Sequence, residues 1–317
     1  MQLTAASMSA GWPSLLDVIA PLLSIGLRNF ASDAPDGWSW LLDQAVLAEA
    51  AGFDRINISD HVVFGEQLDA YGRPELGGTA EGVQPTGPDG HWLEPLTTLA
   101  VIAGRTNRIR LGTNILLAAL RRPAVLAKTA ATLDVLSGGR LDLGVGVGWQ
   151  REEYEACGLD FADRGRLLDH TLEVCQTLWR EPRASYESAE LRFDGIHQMP
   201  KPLQTGGVPL WISGTVNARV ARRIARCAAG WIPWGPDAGD VVAGIARMRA
   251  ALDAIGYDHT GLRVVGRLAS DPAMDAVPPL VAAGVTDFHA AVRISRDPAA
   301  AHDELATFVA EFRAASR

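Results

Sequence analysis

Cysteine is scarce in this chain: Cys157, Cys175 and Cys227 are its only three, far apart and outside any CxxC pair. So small and scattered a set excludes a disulfide framework and a thiolate metal centre, and it suits a reducing cytoplasm. Positive charge is in deficit as well. With 29 Lys and Arg against 37 Asp and Glu, the formal charge is −8. No basic face is left for nucleic acid or an anionic membrane surface, and a small-molecule substrate is the better expectation. No apolar run reaches the roughly 20 residues of a membrane span. The stretch Met1–Ser24 lacks a basic leader and is interrupted by Pro13, Asp17 and Pro21. It reads as an N-terminal extension over residues 1–23 rather than as a signal peptide.

Several catalytic signatures are missing too. The seven histidines show no HxH or HExxH spacing, which argues against a metal centre. No GxSxG elbow occurs, so a serine hydrolase of that type is not expected. The run Gly144-Val145-Gly146-Val147-Gly148-Trp149 imitates a dinucleotide fingerprint without completing it. Its third glycine would fall on Trp149 in one frame and on Arg151 in the other, so the Rossmann reading fails.

What the chain does have is a repeat. Hydrophobic residues make up 48% and charged ones 21%, ample for a large core. A short apolar or β-branched run, a polar break and a helical stretch recur eight times. The strand segments are Ser24–Phe30, Phe53–Ser59, Ile109–Leu116, Arg140–Val147, Val208–Ser213, Gly230–Pro233, Arg263–Leu268 and Thr286–Ala290. Helices are expected around Trp38–Ala51, Pro95–Arg105, Pro123–Leu136, Arg164–Trp179, Ala218–Ala229, Gly239–Ile255, Asp275–Ala283 and Pro298–Ala314. Eight βα units predict a closed (β/α)₈ TIM barrel over residues 24–317 as a single α/β domain, with a doubly wound open sheet as the competitor. Two connections exceed simple turns: His61–Glu94, after the second strand, and Glu181–Gly207, which follows the fourth βα unit. The first is expected to act as a lid over the substrate, because long loops in compact domains are usually functional, with disorder in the absence of ligand as the alternative.

In such a barrel, reactive groups cluster at the carboxyl ends of the strands. Asp60 and His61 end strand two there, in the run Ile56-Asn57-Ile58-Ser59-Asp60-His61. The glycines after strand four bring bare backbone close to a flat or anionic ligand. Ser213-Gly214-Thr215 follows strand five and precedes a helix holding Arg219, Arg222 and Arg223. These residues offer hydroxyls, amides and a helix start to a phosphate; an ordinary Ser/Thr cap is the simpler reading. Gly112-Thr113-Asn114 places polar groups late in an otherwise buried strand, the mark of a bulge or a ligand contact.

Taken together, the motifs resemble the luciferase-like family of bacterial flavin and deazaflavin oxidoreductases from about Ser24 onward. The resemblance is carried by Ser59-Asp60-His61, Trp92–Leu99, Arg108–Asn114, Arg122-Pro123 with Leu133–Arg140, Gly144–Trp149 with Glu153-Tyr154, and Pro209–Gly214. It implies a barrel of the bacterial luciferase-like type and an isoalloxazine-type ring at the carboxyl face, with coenzyme F420 as the cofactor and FMN as the alternative. Asn114–Ile115 matches the position of a non-prolyl cis peptide in F420-using relatives. Gly146, Gly148, Trp149 and Gln150 match the loop near the ring and ribityl chain, and Ser213, Gly214 and Thr215 match the phosphate site. His61, paired with Asp60 or a lid group, is the implied proton donor or acceptor in hydride transfer. Asn29 and Arg28 are expected to face the same cavity, and His289 and Arg293 to reach the substrate. Oxygen-using monooxygenation with reduced FMN is the competing chemistry, and a non-catalytic flavin-binding barrel is a third reading. Trp149 replaces the acidic residue of the family's glucose-6-phosphate dehydrogenases, which argues against that sugar phosphate. The family commonly forms homodimers, and apolar helices such as Leu167–Trp179 would permit one.

Overall fold

The computed structural model describes residues 20–268 and 274–317; the N-terminal extension as far as residue 19, and the segment 269–273, lie outside them. Eight short runs form parallel strands: β1 (Leu22–Gly26), β2 (Arg55–Ile58), β3 (Arg110–Thr113), β4 (Leu141–Val145), β5 (Leu210–Gly214), β6 (Ala228–Pro233), β7 (Val265–Leu268) and β8 (Asp287–Ala290). The hydrogen-bonded order follows the sequence around a ring, with β1 paired to both β2 and β8. A parallel bridge between Trp231 and Val264 joins β6 to β7 and closes it. The closed (β/α)₈ barrel, not the open sheet, is therefore the fold. β1 begins at Leu22, inside the stretch assigned to the extension. Leu23 and Ile25 are apolar enough to be fully buried, and pairing with β8 starts at Leu22 opposite Asp287.

The surrounding helices are α1 (Ser39–Ala51), α2 (Pro95–Ala103), α3 (Pro123–Leu136), α4 (Arg164–Arg180), α5 (Ala218–Cys227), α6 (Val241–Asp253), α7 (Val277–Ala283) and α8 (Pro298–Ala315). Each turns one stripe inward. On α1 the buried residues are Leu41, Ala45 and Ala48, spaced for a single helix face. Gly52 stops α1 at φ +97° and donates its N–H to the last-turn carbonyls of Ala48 and Glu49, a left-handed cap that glycine adopts without strain. On α4 the stripe includes Leu168, Leu172, Cys175 and Trp179, and the Trp179 indole donates to the Ala127 carbonyl of α3 at 2.9 Å. The apolar face that could have served a dimer is thus buried within the chain itself.

The amino-terminal half of the barrel is filled by charge. Asp142 on β4 accepts from Arg55 Nε on β2 at 2.8 Å and from Arg110 on β3 through Nε and Nη2, both at 2.7 Å. Asp287 on β8 takes Arg263 at 2.7 Å and Arg55 at 3.4 Å. The Trp211 ring lies between Arg55 and Arg263, with guanidinium carbons 4.6 and 4.8 Å from its centroid. This ionic floor leaves the carboxyl half for ligands.

The insertion after β2 runs through 3₁₀ turns at Leu68–Gly72 and Pro74–Leu76 and returns as a strand, His91–Trp92, paired antiparallel with Phe30–Ala31 just after β1. It lies at the carboxyl mouth. The second insertion forms an antiparallel hairpin, Ala184–Glu187 with Arg192–Ile196, between α4 and the start of β5. That connection belongs to the amino-terminal end, away from the mouth. No helix among the described residues is long and apolar enough to cross a membrane.

Candidate functional site

Past Ile58 the chain leaves the barrel wall, and adjacent extended residues point opposite ways. Asp60 turns toward the segment after β3. Its Oδ2 accepts from the Leu117 N–H at 2.9 Å and from Arg121 Nη1 at 2.6 Å, and its Oδ1 accepts from Arg121 Nη2 at 3.1 Å. Arg121 also reaches Glu94 at 2.9 Å. Asp60 therefore pins the insertion's two ends to the barrel and does not orient His61, contrary to the expected pairing.

His61 turns instead to Glu153, on the short helix Arg151–Ala156 that follows β4. Imidazole Nδ1 lies 3.2 Å from Glu153 Oε1, which also accepts the Val62 N–H at 2.8 Å. Glu153 is fully buried and its Oε2 has no partner. A carboxylate accepts only, so Nδ1 carries a hydrogen, and in the neutral ring Nε2 is then the lone-pair acceptor. Among the described residues nothing bonds to Nε2. The ring is walled by Phe64 at 4.5 Å, Trp92 edge-on at 4.7 Å and Trp149 at 5.9 Å between centroids.

Gln150 has a different task from the expected one. Buried, it accepts from the Gly65 N–H at 2.9 Å and donates to the Val63 carbonyl at 2.8 Å, so both ends of its amide secure the loop that carries His61. Trp149, also buried, sits between His61 and Tyr71 of the insertion, 5.4 Å from the latter.

The Asn114–Ile115 peptide is cis, as the resemblance implied. Ile115 packs on Trp211, Ile232 and Val265, the apolar layer above the ionic floor. Gly146 faces it from β4's exit: a Cβ there would overlap the Ile115 δ-methyl and would stand 3.6 Å from Ser213 Cβ. Ile115, Gly146 and Ser213 thus form one shelf with bare backbone at its centre. Gly148 adopts φ +69° beside Leu117.

Gly214 extends the shelf, its carbonyl accepting from the Trp231 indole at 2.9 Å. The hydroxyls of Ser213 and Thr215 make no hydrogen bond among the described residues. The start of α5 is less open than expected. Asn217, not a serine or threonine, is the cap and takes the Arg219 and Val220 N–H groups at 3.0 Å each, while Asp237 takes the Val216 N–H at 2.7 Å. A phosphate here would be met by the hydroxyls rather than by those amides.

Of the other expected residues, Asn29 is buried rather than cavity-facing. It donates to the carbonyls of Ser59 at 2.9 Å and Leu93 at 2.7 Å, tying β1, β2 and the insertion together. Arg28 is exposed, 5.8 Å over the Phe30 ring, and Arg293 is exposed in the loop after β8. His289 does point into the barrel, its Nδ1 3.2 Å from both Ser24 Oγ and Asn57 Nδ2. Burial, with Arg267 and Arg55 nearby, pulls its pKa down to about 4. The folded chain thus resists a proton that the unfolded chain accepts near pH 6.5, so stability falls as pH drops from there toward 4. Between pH 7 and pH 5 this costs at most about 2 kcal/mol, the ceiling set by protonation of the unfolded imidazole. Urea midpoints at the two pH values should differ less for His289→Asn than for the parent; equal differences would refute the assignment.

Sequence reasoning missed Glu153, Arg121, Tyr71 and Trp234. Glu153 stands within a recognised motif, but its role depends on a partner 92 residues away. Trp234, at the exit of β6, donates to the carbonyls of Gly77 and Gly78 at 2.9 and 3.1 Å and so fastens the insertion across the mouth.

Comparison with known proteins agrees with this architecture. The family model described as luciferase-like monooxygenase matches residues 22–275. An uncharacterised protein of Mycobacterium tuberculosis, Rv0953c, is 31% identical over 271 residues, covering 84% of this chain and 92% of its own. The F420-dependent glucose-6-phosphate dehydrogenase of Nocardia farcinica is 33% identical over 211 residues, 63% of this chain and 55% of that protein. Among solved structures, an F420-dependent secondary alcohol dehydrogenase in complex with an F420-acetone adduct superposes with a TM-score of 0.70 at 15% identity, over 93% of this chain and 99% of its own. With its barrel, its His61 exit and a family match over most of its length, the chain belongs to the luciferase-like monooxygenase family.

Proposed function

We propose that this chain is an oxidoreductase that uses coenzyme F420 to move a hydride to or from a small organic substrate. The observation that carries the reading is the glycine shelf of Gly146 against Ile115, at the same barrel mouth as a His61 whose Nε2 is open. A flat ring and a proton acceptor are what such a site serves. The choice of F420 is supported by the similarity to the Nocardia dehydrogenase and to the secondary alcohol dehydrogenase fold.

The residues present fit the cofactor. Asn114, Ile115, Gly146 and Gly148 would hold the ring, and Ser213 and Thr215 the phosphate. When bound, F420 supplies a two-electron hydride donor and acceptor at carbon 5 of its deazaflavin. His61 holds or accepts the accompanying proton at Nε2. Glu153 fixes the tautomer by taking the Nδ1 hydrogen, and Phe64, Trp92 and Trp149 keep bulk water off the ring. Asp60 and Gln150 act through structure, by holding the loop that presents His61.

Reduced-FMN monooxygenation is the second reading, favoured by the family's own description. Turnover separates the two. Purified protein is mixed with F420 and a panel of alcohols, aldehydes and organic acids, and separately with reduced FMN under oxygen. The proposal predicts cofactor absorbance changes in the first set; substrate oxygenation in the second alone would replace it. The shelf has its own test. Gly146→Ala forces the Ile115 δ-methyl to move and reshapes the shelf, so F420 affinity should fall by about tenfold or more, a change of about 1.4 kcal/mol. Unchanged affinity in a fluorescence titration would place the ring elsewhere.

A further inference from the structure

Arg267, on β7, stands in register with His289 on β8, and register partners in a parallel sheet face the same side. His289 points into the barrel, so Arg267 belongs to the same interior, at the mouth. Its guanidinium carbon is 5.3 Å from the Trp234 ring centroid. Trp234 is the residue that fastens the insertion, and Tyr71 of that insertion lies 6.4 Å from it and 5.4 Å from Trp149. Trp149 in turn lies 5.9 Å from His61. A line of aromatic rings therefore runs across the mouth from the proton-handling histidine to one arginine.

That arginine differs from the other cations of the barrel interior. Arg55, Arg110 and Arg263 each have a buried aspartate, whereas Arg267 pairs with no carboxylate among the described residues. Solvent reaches it, yet protein surrounds it closely enough that burial lowers its pKa. Its field is felt by His289 and Tyr71. An exposed cation at the barrel mouth, with no carboxylate partner among the described residues, is suited to receive an anion through charge-assisted bonds.

We infer that the substrate carries an anionic group, a carboxylate or a phosphate, which Arg267 binds beside Trp234 and Tyr71 while the reacting carbon lies toward His61. This rests on the proposal that the carboxyl mouth holds the substrate, and it names that substrate's chemical class.

The test uses the full chain without cofactor. Its tryptophan fluorescence is titrated with benzoate and with phenyl phosphate, at constant ionic strength, and with neutral benzamide as the isostere. The same titrations are run on Arg267→Gln, on Arg267→Lys, which keeps the charge, and on Arg192→Gln, which removes an exposed arginine from the distant hairpin. At least one anion should bind the parent about tenfold or more tightly than benzamide does, and whichever anion is preferred identifies the group. That preference should vanish in Arg267→Gln, persist in part in Arg267→Lys and stay unchanged in Arg192→Gln. Equal binding of benzamide and both anions, no binding of either anion, or full retention by Arg267→Gln overturns the inference. Because no cofactor is present, these outcomes are independent of whether F420 or FMN proves to be the partner.

Discussion

If the proposed function holds, alanine at position 61 should lower turnover with F420 by about 10²–10⁴-fold and leave cofactor affinity within about threefold, the range for losing a positioned general acid or base. The separation follows from the site. His61 is fastened at Nδ1 by Glu153 and walled by three aromatic rings, whereas the shelf is built from β3, β4 and β5 residues that do not depend on the imidazole. Glu153→Gln keeps the volume and one acceptor but no charge, so its loss should be smaller than that of His61→Ala. Nitrogen NMR on the free protein gives a readout that a merely structural Glu153 would not move. The parent imidazole should carry its neutral-form hydrogen on Nδ1, and Glu153→Ala should lose that preference. Turnover of His61→Ala within a few-fold of the parent would remove His61 from the chemistry, whereas no turnover by the parent itself with any substrate of the panel would favour a non-catalytic flavin-binding role.

The second large effect lies at the opposite end of the barrel. Asp142→Ala should destabilise the fold by about 3–5 kcal/mol, the usual result of removing one partner from a buried ion pair. Asp142 is buried and serves two strands at once, holding Arg55 of β2 and Arg110 of β3. Its loss leaves Arg55, itself buried, with only the longer contact to Asp287 and with an Nη2 that already lacks a partner. Burial alone would raise the Asp142 pKa, but Arg55, Arg110 and Arg263 outweigh it and hold it below the usual aspartate range. The sign follows: this stabilisation is complete above about pH 4 and is lost as pH falls through the lowered pKa. Urea unfolding at neutral pH measures the loss, and a difference below about 1 kcal/mol would mean that the arginines find other partners.

The barrel was legible because its cues are local. Apolar strand runs, helix stripes such as Leu41, Ala45 and Ala48, and glycine stops such as Gly52 each announce an element within a dozen residues, and all eight strands overlap the segments the pattern gave, although β1 begins earlier, at Leu22, and ends earlier, at Gly26. The glycine shelf and the Asn114–Ile115 peptide were reached through motif resemblance. What stayed hidden was pairing at long range. Nothing near Asp60 shows that Arg121 will claim it, and Gln150 could not be distinguished from a cofactor ligand until its amide was seen to hold Val63 and Gly65. Asn29 was misplaced for the same reason: its partners, Ser59 and Leu93, lie 30 and 64 residues away. Arg267 carries no motif at all; only its register with His289 reveals its place.

The most direct measurement is a fluorescence titration of cofactor-free protein with oxidised F420 and, separately, with FMN. The account predicts saturable binding of F420 at least about tenfold tighter than that of FMN, a difference of about 1.4 kcal/mol. Preference for FMN by the same margin would contradict it and make oxygen-dependent monooxygenation the working mechanism.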